Sequence, residues 1–271
     1  MLPYIIQFEN EPKFADAAAS MVRIAQPLDA NFEPGTFSLK QFGFENRVFD
    51  VPVGQSSFST QIDLSAEKGI KVNVLATIDV VSKQLFWQFV TVDAATGQVS
   101  LDTSKGFLPI NDSTGRGDSF VSYTIRPGLA TQSGDSLPAQ AEIVFDFNEA
   151  IVTNRHFNVV DVLPPVTTVT TPSGTQNEQD IALSWTVQDD DGGSGAQSTW
   201  IYYKKSGGVL DSLGQYPADT GTITAGGFET GHVYQFFFRS NDLVGNLEAL
   251  SDLPNVNITL GTACNVPTPT I

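Results

Sequence analysis

A chain of 271 residues with 41% hydrophobic content is long enough to bury two cores and lacks the composition of a disordered segment. Thirty acidic residues against fourteen basic ones give a formal charge of -16, which argues against nucleic acid and anionic membrane surfaces as partners and makes cations the natural counter-partners. No stretch reaches the roughly eighteen apolar residues of a membrane span, so no membrane insertion is expected, and the N-terminus lacks the basic-then-apolar pattern of a secretion signal. Met1 running straight into a strand-like segment reads as a cut from a longer protein.

Period-two alternation and β-branched or aromatic runs recur between clusters of Gly, Pro, Asn and Asp, with no sustained helical period, and this predicts an all-β chain. Strands are expected over residues 4–9, 20–26, 35–42, 47–53, 56–64, 70–80, 84–92, 119–126, 139–147 and 156–160, with a short helical turn at 15–19. The turn at 93–98 and the breaker-rich stretch 102–118 add a hairpin and a long loop to a sandwich frame. At Asp161-Val162-Leu163-Pro164-Pro165 two prolines forbid continued strand pairing and stiffen the path, which marks a hinge. The expected domains are 1–161 and 162–262, with 263–271 a tail or linker. Seven short strands follow the hinge, at 166–171, 181–188, 198–205, 212–216, 221–224, 232–241 and 256–260. In the second of them Ile181, Leu183, Trp185 and Val187 form one apolar face. In the sixth, Tyr234, Phe236 and Phe238 are expected to face inward against Trp185.

Ala182-Leu183-Ser184-Trp185, then Thr199-Trp200-Ile201-Tyr202-Tyr203, then Tyr234-Gln235-Phe236-Phe237-Phe238-Arg239-Ser240-Asn241-Asp242, together resemble a fibronectin type III-like or Ig-like module. The pairing of an Asp-Asp-Gly-Ser-Gly type loop with an Asp-x-x-Gly-Asn type loop is similar to modules of large bacterial secreted proteins; here the first loop carries an extra Asp and Gly. The first domain resembles another Ig-like unit found beside such modules, through Tyr4–Asn10, Pro27–Phe32, Phe42-Gly43-Phe44, Gly106–Pro109, Val121–Pro127 and Ile143–Asn148. The resemblance implies tandem antiparallel β-sandwiches, Ig-like and then fibronectin type III-like, in a secreted or cell-surface bacterial protein with a structural or adhesive role and no catalytic residue. The near absence of cysteine suits that setting, and Cys264, alone in a Pro/Thr-rich tail, has no intrachain partner for a disulfide.

The chemistry concentrates in two acidic loops. Asp189-Asp190-Asp191-Gly192-Gly193-Ser194-Gly195 follows the second strand of the second sandwich, and Asn241–Glu248 follows the sixth, so both emerge at the same end. Calcium takes roughly six to eight oxygen ligands in tolerant geometry. The candidate Ca2+ ligands are Asp189, Asp190, Asp191, Asp242, Asn246 and Glu248, with Ser194 or backbone carbonyls completing the shell. Asp161 joins them because the chain enters its first strand at the same pole. The bland alternative is that Asp, Asn and Gly are turn formers; two convergent loops weigh against it, since carboxylates forced together repel unless a cation screens them. The expected consequence is Ca2+ stiffening of the second domain and of the interdomain junction.

Other motifs carry less. Arg116-Gly117-Asp118 matches an adhesion tripeptide but reads better as a turn with Asp118 as a cap or ion-pair partner. His156 and His232 lack partners at triad spacing. The aromatic load of the first domain reads as core, with Trp87 and Phe107 as the candidates for an exposed, glycan-binding surface. Lys71 is the strand lysine to inspect for a self-made crosslink, and Asn257-Ile258-Thr259 and Asn111-Asp112-Ser113 fit a glycosylation sequon. The expected partners are neighbouring domains or other copies, with glycan as a further one. The rival readings are a carbohydrate-binding module and an accessory region of a larger secreted enzyme.

Overall fold

The computed structural model describes residues 1–262 apart from Leu101 and Thr103; Cys264 and the expected tail lie outside the described residues. Contacts divide the chain into two compact units, Met1–Thr131 with Ser136–Asn158, and Gln132–Asp135 with the chain from Val159 onward. Both are built from strands.

The first unit contains β1 (Leu2–Glu9), β2 (Met21–Pro27), β3 (Phe32–Phe44), β4 (Arg47–Asp50), β5 (Ser57–Leu64), a one-turn helix α1 (Ser65–Lys68), β6 (Ile70–Asp79), β7 (Gln84–Asp93), β8 (Asp118–Pro127), β9 (Ser136–Ala139), β10 (Glu142–Phe145), β11 (Ile151–Val152) and β12 (His156–Val159). They form a four-stranded sheet in the order β1-β8-β3-β4, a six-stranded sheet β11-β10-β2-β7-β6-β5, and a small pair β12-β9. Between the two larger sheets lies an aromatic core. Phe89 stacks on Phe107 at 5.5 Å, Phe44 meets Phe107 edge-on at 5.2 Å, and Tyr4 stacks on Tyr123 at 5.2 Å. Alternation along β7 sends Leu85, Trp87 and Phe89 inward.

Three expectations are corrected here. Trp87 and Phe107 are 2% and 0% exposed, so neither offers a binding surface. Residues 15–19 form bends and a bridge rather than a helix, and the only helix among the described residues is α1, which closes on Gly69 at φ 67°, a left-handed geometry that glycine adopts without a Cβ penalty. The expected strand 139–147 is broken at Gln140 and Ala141, because β9 pairs with β12 whereas β10 pairs with β2 and β11.

The second unit contains β13 (Val166–Val169), β14 (Gly174–Gln176), β15 (Ile181–Gln188), β16 (Ala196–Lys205), β17 (Asp211–Pro217), β18 (Thr222–Ala225), β19 (Val233–Asp242) and β20 (Val256–Leu260). A three-stranded sheet β13-β15-β18 packs against a five-stranded sheet β14-β20-β19-β16-β17. Leaving aside the three-residue β14, the first, second and fifth strands share one sheet and the third, fourth, sixth and seventh the other. That partition is the fibronectin type III-like variant of the sandwich. Its core holds Trp185, Ile181, Leu183, Ile201, Phe236 and Phe238, with Trp185 5.7 Å from Phe238 and its indole N–H donating to Thr199 Oγ1 at 3.2 Å. The buried indole thus has the partner it requires. Residues 132–135 and 159–161 belong to this unit because Gly134 donates to the Val160 carbonyl at 2.9 Å and Val160 to that of Asp135 at 2.8 Å.

Candidate functional site

The site grows out of strand ends. β15 releases the chain at Gln188 into Asp189–Gly195, and β19 ends in Asp242, whose loop returns by an Asn241–Leu247 bridge. The two loops meet: Leu243 N–H donates to the Gly195 carbonyl at 2.9 Å.

Asp161, Asp189 and Asp190 converge. One oxygen from each carboxylate lies within 4.8 Å of the others, and all three residues are half-buried. Asp161 Oδ2 accepts from the Ser194 backbone at 2.7 Å, and its Oδ1 accepts from Ser133 Oγ at 3.4 Å and from Asn246 Nδ2 at 3.3 Å. Burial pushes the Asp161 carboxyl up, but donors from Ser194, Leu163 and Ser133 outweigh it and hold its pKa below the ordinary range. Asp189 Oδ2 accepts from the Gly195 backbone at 2.6 Å. Among the described residues, Asp190 Oδ1 and Ser194 Oγ are buried and make no hydrogen bond of good geometry, although Ser194 lies near enough to Asp161 to help lower its pKa. Buried polar atoms are ordinarily satisfied, so both retain capacity for a further partner.

Glycine makes the convergence possible. A Cβ on Gly193 would stand 2.8 Å from Asp189 Oδ2 and 2.9 Å from Asp190 Oδ1. Gly192, at φ 83°, brings its backbone against Gly134, where an added Cβ would meet Gly134 Cα at 2.8 Å. The Gln132–Asp135 segment is thereby seated beside the acidic loop and supplies Ser133.

The remaining expected ligands are otherwise employed. Asp242 is fully buried, and its Oδ1 accepts from the N–H groups of Val244, Gly245 and Asn246 at 3.0, 2.6 and 2.8 Å. Its Oδ2 takes the Asn246 amide at 2.7 Å. Asn246 acts as a donor, tying Asp242 to the Asp161 and Leu163 carbonyls at 3.2 and 3.3 Å. Glu248 binds Thr167 N–H at 3.1 Å, Thr167 Oγ1 at 2.6 Å and Ser240 N–H at 3.1 Å, which straps β13 to β19. Asp191 is exposed and stands outside the carboxylate group. Ser133 was not legible: it lies 28 residues upstream of Asp161 in a loop without a motif.

The lesser motifs resolve plainly. Arg116 pairs with Asp112, Asp118 accepts from Asn111 at 2.7 Å, and Gly117 packs on the Asn111 backbone, so the tripeptide is folded into its own turn. His232 faces Glu229 at 3.5 Å and His156 lies edge-on to Tyr4. Lys71 stands opposite Asp63 across the β5–β6 ladder. Among the described residues no helix is long and apolar enough to cross a membrane.

A family model described as "Domain of unknown function (DUF7619)" matches residues 56–159. Comparison with curated proteins gives no match. Solved structures to which the chain is similar include titin domains A168–A170, at 12% identity over 87% of this chain and 97% of that one, TM-score 0.35. Chicken CNTN1 domains FN1–FN3 align at 8% identity over 96% of this chain and 62% of that one, TM-score 0.30. A β-1,2-glucanase from Parabacteroides distasonis aligns at 13% identity over 96% of this chain and 31% of that one, TM-score 0.27. The fold assignment stands on the strand order itself.

Proposed function

We propose that this chain is a non-catalytic structural or adhesive module of a secreted or cell-surface bacterial protein, in which Ca2+ fixes the incoming segment at Asp161 to the acidic loop of the second sandwich. The observation that carries the reading is the Asp161–Asp189–Asp190 convergence, with Asp190 Oδ1 buried and without a hydrogen-bond partner among the described residues and Ser194 Oγ buried beside it. An all-oxygen, carboxylate-rich donor set suits a hard cation. Asp161, Asp189, Asp190 and Ser194 are the proposed protein ligands, with carbonyls and water completing the shell. Asp242, Asn246 and Glu248 shape the loops around them, and Asp191 contributes only charge. A bound cation joins the residue by which the chain enters the sandwich to a loop within it, which stiffens the junction. Its natural partners are neighbouring domains or further copies of the protein.

Calorimetric titration of Ca2+ into metal-free protein tests this directly. A single site is expected, lost in Asp190→Asn, while Asp191→Asn retains it. At Ca2+ one hundred times Kd the stabilisation amounts to about 2.7 kcal/mol. An unchanged melting temperature and hydrodynamic radius under saturating Ca2+ would remove the reading.

A further inference from the structure

The second unit is strongly acidic, yet its cations are gathered in one place. Between Val159 and Thr262 the basic residues are Lys204, Lys205 and Arg239, on the neighbouring strands β16 and β19. Register assigns the faces. Ile201 and Phe238 are paired and point into the core, so the flanking pairs, Trp200 with Arg239 and Tyr202 with Phe237, share the opposite, outward face. Gln215 on β17 stands opposite Trp200, and Lys204 stands opposite Gln235, whose amide donates to Asn257 at 3.1 Å. The Arg239 guanidinium lies over the Tyr202 ring at 5.6 Å and donates to its hydroxyl at 3.2 Å, while Lys204 Nζ covers the Phe237 ring at 5.2 Å. Trp200 and Tyr202 remain half-exposed. Lys205 turns to Glu229 and takes no part.

We propose that this outward face of β16, β17 and β19 binds an acidic polysaccharide, with sugar rings on Trp200 and Tyr202, carboxylates against Arg239 and Lys204, and hydroxyls meeting Gln215 and Gln235. Two features select that occupant. The face joins cations to aromatic rings and neutral amides with no carboxylate among the outward positions named, inside a unit that otherwise repels polyanions. A sheet face bearing half-exposed rings offers the apolar stacking surface that a pyranose ring needs. The cation site plays no part in this contact.

Affinity electrophoresis of the full chain through polygalacturonate, with dextran and polyglutamate as comparison polymers and EDTA present throughout, tests it. Retardation is expected in polygalacturonate alone, weakening as salt is raised. Trp200→Ala and Arg239→Gln should each reduce it about tenfold, with far-UV circular dichroism confirming the fold, and Lys204→Glu supplies an independent surface variant. Equal retardation in polyglutamate would overturn the carbohydrate assignment, and equal retardation in dextran the acidic one. No retardation in polygalacturonate, or retardation unmoved by all three variants, would overturn the site. EDTA keeps this outcome separate from that of the Ca2+ titration.

Discussion

At Gly193 a single missing methyl group decides whether two carboxylates can point the same way. Alanine there would force Asp189 and Asp190 aside, since its Cβ would stand under 3 Å from an oxygen of each. Gly193→Ala is therefore expected to abolish calorimetric Ca2+ binding while leaving the β-sheet circular dichroism intact. The aspartates also set a pH dependence. Asp161 is held below the ordinary carboxylate range, and Asp79, Asp93 and Asp112 are lowered by hydrogen bonds from their own turns. A group whose folded pKa is depressed stabilises the fold above its unfolded pKa and loses that contribution as pH falls through the folded value. Thermal stability without metal should thus be level above about pH 5 and fall steadily below about pH 4, near the unfolded aspartate pKa. A melting temperature that rises on acidification through that window would contradict the assignment.

Among the elements, β13 is short, and Glu248 holds it to β19 through three hydrogen bonds. Glu248→Gln removes the charge and replaces one of the two acceptor oxygens with an NH2 group, so denaturant unfolding should show a loss of about 1 to 2 kcal/mol. The proposed Ca2+ binding should survive, which separates the strap from the proposed ligands. Glu248 also shows where sequence reasoning stops. An acid in a loop after the sixth strand matches the pattern of a ligand, but its occupation by Thr167 and Ser240 is a tertiary fact. Alternation located β15 to the residue and predicted the inward set of Tyr234, Phe236 and Phe238, because period-two patterning is written into one strand at a time. The same alternation held the orientation of Trp87, since Leu85, Trp87 and Phe89 form the more apolar face of β7. β14 was invisible: Gly174–Gln176 has no strand signal and exists through its parallel pairing with β20. Asp189 and Asp190 were readable from the Asp-Gly loop, and Asp161 from the topology of the sandwich. Ser133 was not, because proximity across a turn of chain leaves no local mark.

For the whole molecule, the second unit is assembled from two separated stretches, and Gln132–Asp135 is as much a part of it as Asp161. Four hydrogen bonds hold that segment: Gly134 N–H to Val160 O at 2.9 Å, Val160 N–H to Asp135 O at 2.8 Å, Val162 N–H to Ser133 Oγ at 3.0 Å, and Ser133 Oγ to Asp161 Oδ1 at 3.4 Å. A fragment beginning at Val159 keeps every strand from β13 to β20 and all three carboxylates, yet lacks this support. It is expected to fold, because the Trp185 core is contained in it, but to bind Ca2+ at least tenfold more weakly than the full chain, a difference of about 1.4 kcal/mol in the binding free energy. In the full chain, scanning calorimetry should resolve two transitions, one for each core, with Ca2+ raising only that of the second unit, since a ligand stabilises the body it binds. If the fragment binds Ca2+ as tightly as the full chain, the segment is a bystander. If Ca2+ raises both transitions equally, the cation acts through more than the Asp161–Asp189–Asp190 group.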